Sequence, residues 1–508
     1  MWHWVQKDLP AHVSQENRLI LRMAAAEANT PMKMFMSHFD DDCVQLLVLE
    51  SNRFRIQQCR TRTSPVGAEE MRVFMGICFY MSVVHLPTYR MYWAPCTRQS
   101  IVADAMTVNR FEEILSILHA NDNDLEIAKG QPGYDRLHKV RPLLDSVLDR
   151  FKKCAEKEIQ VSVDEQIIPF KGRHSLKTYM MKKTKKWGYK VWVQAGQSGY
   201  VHDFQFAGDN LAPVVDTVEN VGKSGEVVVH LTADQPHGSY VYFDNYFASP
   251  ELLIELKSRD IKATCTMRPN RSRKCPLKCL KDINKCGRGA YDYRMLNDES
   301  LIICEWFDNK VVLMGSNVHG VEPTHLVRRY DRTAKRHVEL SCPAMIKHYN
   351  ANMGGVDKCD MLLSLYRNER KSKKWYKRVI FHMLDLCLVN AWLLYRAMKP
   401  EATIPLAHFK LDAARGLITS KVAIERTLHD QNNNNNKKKL RSAKDVNADT
   451  RYDNVGHFPG KMDMENAQRC KANGCSRKTF YYCRKCWISL CIFGHDGQED
   501  CFYTFHHV

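Results

Sequence analysis

The densest chemistry in the sequence lies near its C-terminal end. Six cysteines fall between Cys470 and Cys501, spaced as Cys470-x4-Cys475, Cys483-x2-Cys486, Cys491-x3-His495 and Cys501-x4-His506. Thiolates and imidazoles at such spacing are zinc ligands, four to an ion, so eight of them fill two structural Zn2+ sites. A segment of about fifty residues cannot bury a large core, and bound metal would supply its folding free energy. The competing explanation is a set of reduced core cysteines.

A second chemistry calls for harder ligands. Asp164 follows the alternating run Val161-Ser162-Val163, and Asp244 follows Val241-Tyr242-Phe243. Asp357 closes Met353-Gly354-Gly355-Val356-Asp357, where a helical pattern resumes, and Asp360 lies one turn further on. Aspartates at strand ends are where α/β folds place functional groups. Two on neighbouring strands and one from a packed helix can converge, and converging carboxylates repel unless cations separate them. Two Mg2+ ions about 3.5–4 Å apart meet that need, activate a water and stabilise the leaving oxygen of a phosphodiester. Taken singly, each aspartate is as well explained by a turn or cap, and spacing alone does not single these out. The run Asp40-Asp41-Asp42 has the simpler reading of a helix start, where carboxylates cap free N–H groups.

The elements that must position these groups follow from periodicity. Up to residue 155 the pattern is helical, as in Leu137, Val140, Leu143, Leu144, Val147, Leu148 and Phe151. Strands are expected at 161–163, 189–193 and 201–206, a helix at 211–221, then a strand at 241–243, a helix at 250–257 and a strand at 261–267. That alternation is a mixed α/β layer. Residues 270–343 break the rhythm, with strand candidates at 301–306 and 311–314, and read as an insertion. Helix returns near Val356 and runs to about His429, before a Gln/Asn/Lys-rich linker.

Composition bounds the rest. The chain has 508 residues, 44% hydrophobic and 26% charged, which excludes collagenous, coiled-coil and wholly disordered chains. The formal net charge of +18 points to a polyanionic partner, nucleic acid first. Met1-Trp2-His3-Trp4 does not start a signal peptide, so an intracellular setting with reduced cysteines is expected. The longest apolar stretch, Val379 to Tyr395, contains His382, Asp385 and Asn390 and reads as a buried helix, so no membrane span is expected.

The order of motifs resembles the piggyBac transposase family. Asp164-Glu165-Gln166-Ile167-Ile168-Pro169-Phe170-Lys171-Gly172-Arg173 is similar to its first aspartate motif, and Lys186-Trp187-Gly188-Tyr189-Lys190-Val191-Trp192 and Ser198-Gly199-Tyr200 to its next landmarks. Phe243-Asp244-Asn245-Tyr246-Phe247-Ala248-Ser249 resembles the second aspartate motif, and Tyr349-Asn350 through Met353-Gly354-Gly355-Val356-Asp357-Lys358-Cys359-Asp360 the third. The resemblance runs from about residue 30 to the C-terminus.

It implies an α/β fold with an RNase H-like catalytic core and an insertion domain. A helical domain from N-terminal and post-core segments flanks that core, and a small zinc-binding domain ends the chain. The implied divisions are 1–155 (helical dimerisation and DNA-binding part), 156–269 (core), 270–343 (insertion), 344–366 (helix with the third aspartate), 367–430 (second helical DNA-binding part), 431–454 (linker) and 455–508 (cysteine-rich domain). Asp164, Asp244 and Asp357 would hold two Mg2+ ions, or Mn2+ in their place, with Asp360 as an additional acid. The implied reaction is nicking at element ends, attack of the freed 3′-OH to form a hairpin, reopening, and joining at TTAA. The alternative is a domesticated, transposase-derived nuclear DNA-binding protein. A ubiquitin ligase would rest on the cysteine-rich tail alone. The resemblance also offers His457 as a rival to His495 for the eighth zinc ligand, and an interleaved, RING-like pairing. Relatives often carry a longer acidic N-terminal region than this chain, which opens Met1-Trp2.

Two basic runs neighbour the aspartate motifs. Lys171, Arg173, Lys177, Lys182, Lys183, Lys185, Lys186 and Lys190 occur without an acid between them. Arg367, Arg370, Lys371, Lys373, Lys374, Lys377 and Arg378 surround Trp375, with Glu369 the one acid. Both are read as faces for double-stranded DNA, with Trp375 able to stack on a distorted end. Arg268, Arg271, Arg273 and Lys274 are weaker contacts, and 182–186 and 437–441 fit nuclear-import signals. A homodimer is expected, because two DNA ends must be brought together symmetrically.

Overall fold

A computed structural model describes the chain except residues 1, 13–15, 23–26, 60–63, 182, 184, 210–220, 279, 333, 371, 402, 436–445, 447–450, 453–456, 463–465, 493–499 and 508. The chain divides into two units, Met1–Lys421 and Val422–Val508.

In the first unit, strand β1 (Trp4–Val5) precedes helices α1 (Pro31–His38), α2 (Asp41–Gln57), α3 (Ala68–Val83), α4 (Ser100–Ala103), α5 (Val108–Ile117) and α6 (Arg141–Cys154). Local chemistry sets their starts. Thr30 accepts the Lys33 N–H before α1, where Pro31 occupies the first turn, and Asp40 accepts the Cys43 N–H before α2. The aspartate run is therefore a cap.

Strands β2 (Gln160–Pro169), β3 (Lys177–Tyr179), β4 (Trp187–Gly196) and β5 (Val201–Phe206) follow, then α7 (Gly222–Leu231), β6 (Tyr240–Phe243), α8 (Pro250–Ser258) and β7 (Lys262–Thr266). The five central strands lie in the order β5-β4-β2-β6-β7. β4 runs antiparallel to β2 and β5, whereas β6 is parallel to β2 and β7 parallel to β6. α8 makes the crossover that the parallel β6–β7 pair requires.

After α9 (Leu280–Lys285), strands β8 (Tyr291–Leu296), β9 (Ile302–Phe307) and β10 (Val311–Ser316) extend the same sheet from β7, and β1 pairs on its far edge. Strands β11 (His325–Asp331) and β12 (Arg336–Cys342) form a separate hairpin. Helices α10 (Ala344–Asn352), α11 (Gly355–Leu365), α12 (Trp375–Met398) and α13 (Leu406–Asn435) complete the unit and lead into the next.

Side chains alternate along β2. Val161 and Val163 enter a core with Val228, Phe243, Leu252 and Leu253. Ile168 enters the other, with Val191, Val193, and Val356 and Cys359 of α11. Asp164 has the parity of Ile168 and so faces the side that α11 covers. α12 is long and apolar enough to cross a membrane, but its apolar window is 94% buried in the fold. Asn390 exchanges both amide hydrogen bonds with Val201 of β5, at 3.0 and 2.9 Å. Asp385 pairs with Lys410 at 2.8 Å, both side chains 3% exposed.

Several expectations need correction. Residues up to 155 are not uniformly helical: β1 pairs Trp4 with Leu296, and the Asp8 carboxylate accepts the Val321 and Glu322 N–H groups. The 270–343 segment is not wholly separate, because β10 pairs with β7 (Met314 with Thr266) and carries the core sheet onward. Strands at 291–296, 325–331 and 336–342 were not expected. The helix expected at 211–221 lies almost entirely outside the described residues. α13 continues to Asn435, into the segment assigned to the linker.

The second unit holds β13 (Pro459–Lys461), β14 (Gln468–Arg469), β15 (Lys478–Thr479), β16 (Tyr481–Cys483) and α14 (Cys501–His506). β13 pairs with β16 and β14 with β15.

Candidate active site

Parallel pairing sets Val163 opposite Phe243, so Asp164 and Asp244 leave adjacent strands at the same level. Asp164 does not end its strand, as expected from sequence; β2 runs on to Pro169, paired with β4 alone. The Asp164 carboxylate accepts the Glu165 N–H at 2.7 Å, and the Asp244 carboxylate accepts the Tyr246 N–H at 2.8 Å in an Asx turn. Burial, with the neighbouring Glu165 and Asp244 charges, pushes the Asp164 carboxyl up to about 7, against the Glu165 N–H and the Lys183 ammonium.

α11 approaches the same face through its glycines. A Cβ on Gly355 would lie 2.4 Å from the Gly196 carbonyl oxygen and 2.8 Å from Ser162 Oγ, so no other residue lets the helix start there. Asp357 stands exposed in its first turn. Asp360, one turn later, is half-buried, and its Oδ1 has no hydrogen-bond partner among the described residues. Burial raises its carboxyl to about 6, with Lys183, Arg367 and the Gln166 amide opposing and Asp357 adding to the rise.

The acids thus act in two pairs, Asp164 with Asp244 and Asp357 with Asp360. Lys183 faces a member of each and donates to the Glu165 carbonyl at 3.0 Å. Among the described residues no three carboxylates bring their oxygens within 4.8 Å of one another. The arrangement is open rather than a closed triad.

Neighbours that sequence reasoning missed complete it. Glu165 lies 3.7 Å from the Lys190 ammonium, which sits over the Trp192 and Tyr246 rings at 3.8 and 4.4 Å. The Tyr349 hydroxyl is held up by burial, with Asp244 and Asp164 nearby. Both residues lie inside the quoted motifs, but strand and helix pairing decide which of their atoms face the acids.

The basic candidates separate into two groups. Lys171, Arg173, Lys185, Lys186, Lys373 and Lys374 are exposed. Lys185 pairs loosely with Glu369 at 3.4 Å, and Lys374 lies over the Phe54 ring. Lys177 lies 4.6 Å over the Trp187 ring, and Arg367 is half-buried. Others are not the free basic face the sequence suggested. Lys377 is buried and donates to the Leu115 and Ser116 carbonyls at the end of α5, which a cation suits. Arg378 donates to the Pro169 and Asn368 carbonyls at 3.0 and 2.7 Å. Arg370 packs on Phe111, and Trp375 stacks on His174 at 4.3 Å. Arg268 and Arg271 bind the turn after Asp244, and Arg273 binds Glu251. Lys182, Lys371 and 437–441 lie outside the described residues.

The second unit gathers two four-ligand sets, Cys470, Cys475, Cys491 and Cys501, and His457, Cys483, Cys486 and His506. Within each, the ligand atoms lie within 4.8 Å of one another. Zinc–sulfur bonds of ~2.3 Å in a tetrahedron place sulfurs about 3.8 Å apart. Cys475 Sγ and Cys491 Sγ are 4.0 Å apart, while His457 Nδ1 lies 3.4 Å from Cys483 Sγ and His506 Nε2 lies 3.5 Å from Cys486 Sγ. His506 Nδ1 donates to the Phe502 carbonyl at 2.8 Å, which leaves Nε2 free to ligate. Burial pushes the Cys475 thiol up, but hydrogen bonds led by those from Arg477 outweigh it and bring it to about 6. The soft donor set and its dimensions fit zinc. The pairing is interleaved rather than sequential: Cys491 joins Cys501, not a neighbouring histidine. His457 occupies the described set, and His495 lies outside the described residues.

The family model described as Transposase IS4 matches residues 30–392. Human PiggyBac transposable element-derived protein 2 is 30% identical over 435 residues, covering 84% of this chain and 70% of that protein. Human PiggyBac transposable element-derived protein 3 is 31% identical over 468 residues, covering 91% and 74%. The fold is similar to the cryo-EM structure of a piggyBac transposase synaptic complex with hairpin DNA, with TM-score 0.65, 17% identity, and coverage of 92% of this chain and 100% of that one. With the motif order, the sheet and the two acids level on its adjacent strands, these matches place the chain in the piggyBac transposase family.

Proposed function

We propose that the chain is a metal-dependent DNA transposase that cuts and joins strands through hairpin intermediates at TTAA, with Asp164, Asp244 and Asp357 as the ligands of two Mg2+ ions. The observation that carries this reading is the level pairing of Asp164 and Asp244 on adjacent strands beneath the helix that bears Asp357. The order β5-β4-β2-β6-β7, with its antiparallel and parallel halves, supports an RNase H-like core.

The residues present fit hard cations. Their donors are carboxylate oxygens, which Mg2+ and Mn2+ prefer. An acid held at about 7 and a buried Asp360 oxygen without a partner both mark missing positive charge. Bound Mg2+ would supply an activated oxygen nucleophile and charge stabilisation at the leaving oxygen. The rest falls to the chain. Asp164 and Asp244 fix their carboxylates through the Glu165 and Tyr246 N–H groups, so little reorganisation remains when a phosphate arrives. Gly355 lets α11 seat Asp357 against the sheet. The exposed Lys171, Arg173, Lys185 and Lys186 follow the first acid in sequence and would track a phosphate backbone. Two Zn2+ ions would fold the second unit as a reader of DNA ends, and the active species would be a nuclear homodimer.

A second reading is a transposase-derived DNA-binding protein without transposition, favoured by the human relatives' names and by the open arrangement of the acids. Strand cleavage and joining on hairpin and TTAA substrates in Mg2+ separates the two. The proposal expects activity that Asp244→Asn abolishes; binding without cleavage supports the second reading.

A further inference from the structure

A cavity of about 650 Å3 opens beside β7, β9 and β10, and none of the four aspartates of the candidate site lines it. Its walls are mostly apolar, with Met267, Pro269, Phe307 and Leu313 among them, and Ser272 and Asn309 add polar edges. One acid interrupts them: Glu305 is 5% exposed, lines the cavity, and its Oε1 has no hydrogen-bond partner among the described residues. An unpartnered carboxyl at that depth costs stability unless a ligand completes it. Its charged neighbours leave it unneutralised. Asp292, opposite on β8, adds to the rise that burial causes, and Arg294 and Lys278 oppose it; the outcome is a carboxyl near 7. The Arg294 guanidinium is bound to Asp292 at 2.9 Å. Lys278 and Lys310 are both exposed at the lining. The segment that covers the cavity is latched to the turn after Asp244: Arg268 donates to Asn245 Oδ1 at 3.0 Å, and Arg271 to the Tyr246 and Ala248 carbonyls at 2.9 and 3.1 Å.

A ligand matching these features has a flat apolar body, an edge of N–H donors and an anionic appendage. We infer that the cavity receives an extrahelical nucleobase, its N–H edge on Glu305 and its phosphate toward Lys278 and Lys310. The inference rests on the DNA reading above. A base lifted from a duplex loses stacking and pairing, and mostly apolar walls with a buried hydrogen-bonding carboxyl and a few polar side chains restore much of that. Guanine suits the pocket best, since its N1–H and N2–H lie side by side before a carboxylate.

The probes are the four deoxynucleoside 5′-monophosphates, titrated into the full chain by calorimetry and thermal shift. dGMP is expected to bind most tightly, and Glu305→Met to weaken it about tenfold or more, the worth of one good base-edge contact. Lys278→Ala with Lys310→Ala weakens dGMP but not deoxyguanosine. Glu305→Met removes a lone buried carboxyl and should melt no lower than the parent without nucleotide. Equal dGMP binding by parent and Glu305→Met overturns the inference, as does the absence of binding by any of the four. Cleavage is not read, so loss of the pocket in a chain whose cutting depends on Asp244 refutes this inference alone.

Discussion

Replacing Asp164 by Asn tests the electrostatics of the site without touching DNA. Burial and two acidic neighbours raise this carboxyl from 3.8 to about 7 in the folded chain. An acid whose folded value is raised binds its proton more tightly when folded. Its penalty is therefore absent below about pH 4, grows as pH rises toward 7, and is constant above. Roughly three units correspond to about 4 kcal/mol, and residual solvent around a half-buried group reduces this to about 2–4 kcal/mol. Without divalent cations, Asp164→Asn should raise the melting temperature of the first unit at pH 8 by about 2–4 °C, since a unit of this length shifts about 1 °C per kcal/mol. At pH 4 the two proteins should melt alike. Excess Mg2+ should stabilise the parent at pH 8, because cation binding offsets the repulsion, and should not stabilise the variant. The assay is calorimetry after dialysis into Mg2+-free buffer. A variant less stable than the parent at pH 8, or one with the parental response to Mg2+, refutes the reasoning.

Three further outcomes follow from named contacts. Gly355→Ala drives a methyl into the Gly196 carbonyl and should cost about 1–3 kcal/mol by denaturant unfolding, and strand cleavage should fall although every acid remains. Lys410→Met strands the buried Asp385 carboxylate and should cost about 3–5 kcal/mol on the same measure, whereas Lys373→Met, on an exposed side chain, should cost almost nothing. His457→Ala should reduce the zinc content of the chain from two ions toward one by elemental analysis, while His495→Ala leaves it at two.

The acids stand out only through motifs that resemble the family's, not through spacing; strand alternation then puts Asp164 on the side of the sheet that the helix carrying Asp357 covers. The cysteines were legible by spacing. Spacing alone does not give their partition into two sets, because members of one set lie far apart, 31 positions for Cys470 and Cys501 and 49 for His457 and His506; the interleaving came from the family resemblance. Basic runs misled for a definite reason. A Lys or Arg shows its charge in sequence but not its acceptor, and Lys377 and Arg378 meet carbonyls at an α5 end and a β2 end. Strands β9 and β10 were expected from sequence, but β8 was missed because it carries Asp292 and Arg294 among its apolar residues, so the strand pattern is broken where a partly buried ion pair replaces hydrophobic alternation.

The most direct measurement is anomalous scattering from Mn2+ in crystals of the protein bound to a nicked DNA end. Two peaks about 3.5–4 Å apart are expected, ligated by Asp164, Asp244 and Asp357. Manganese bound elsewhere, or those three carboxylates remaining apart with DNA in place, would contradict this assignment.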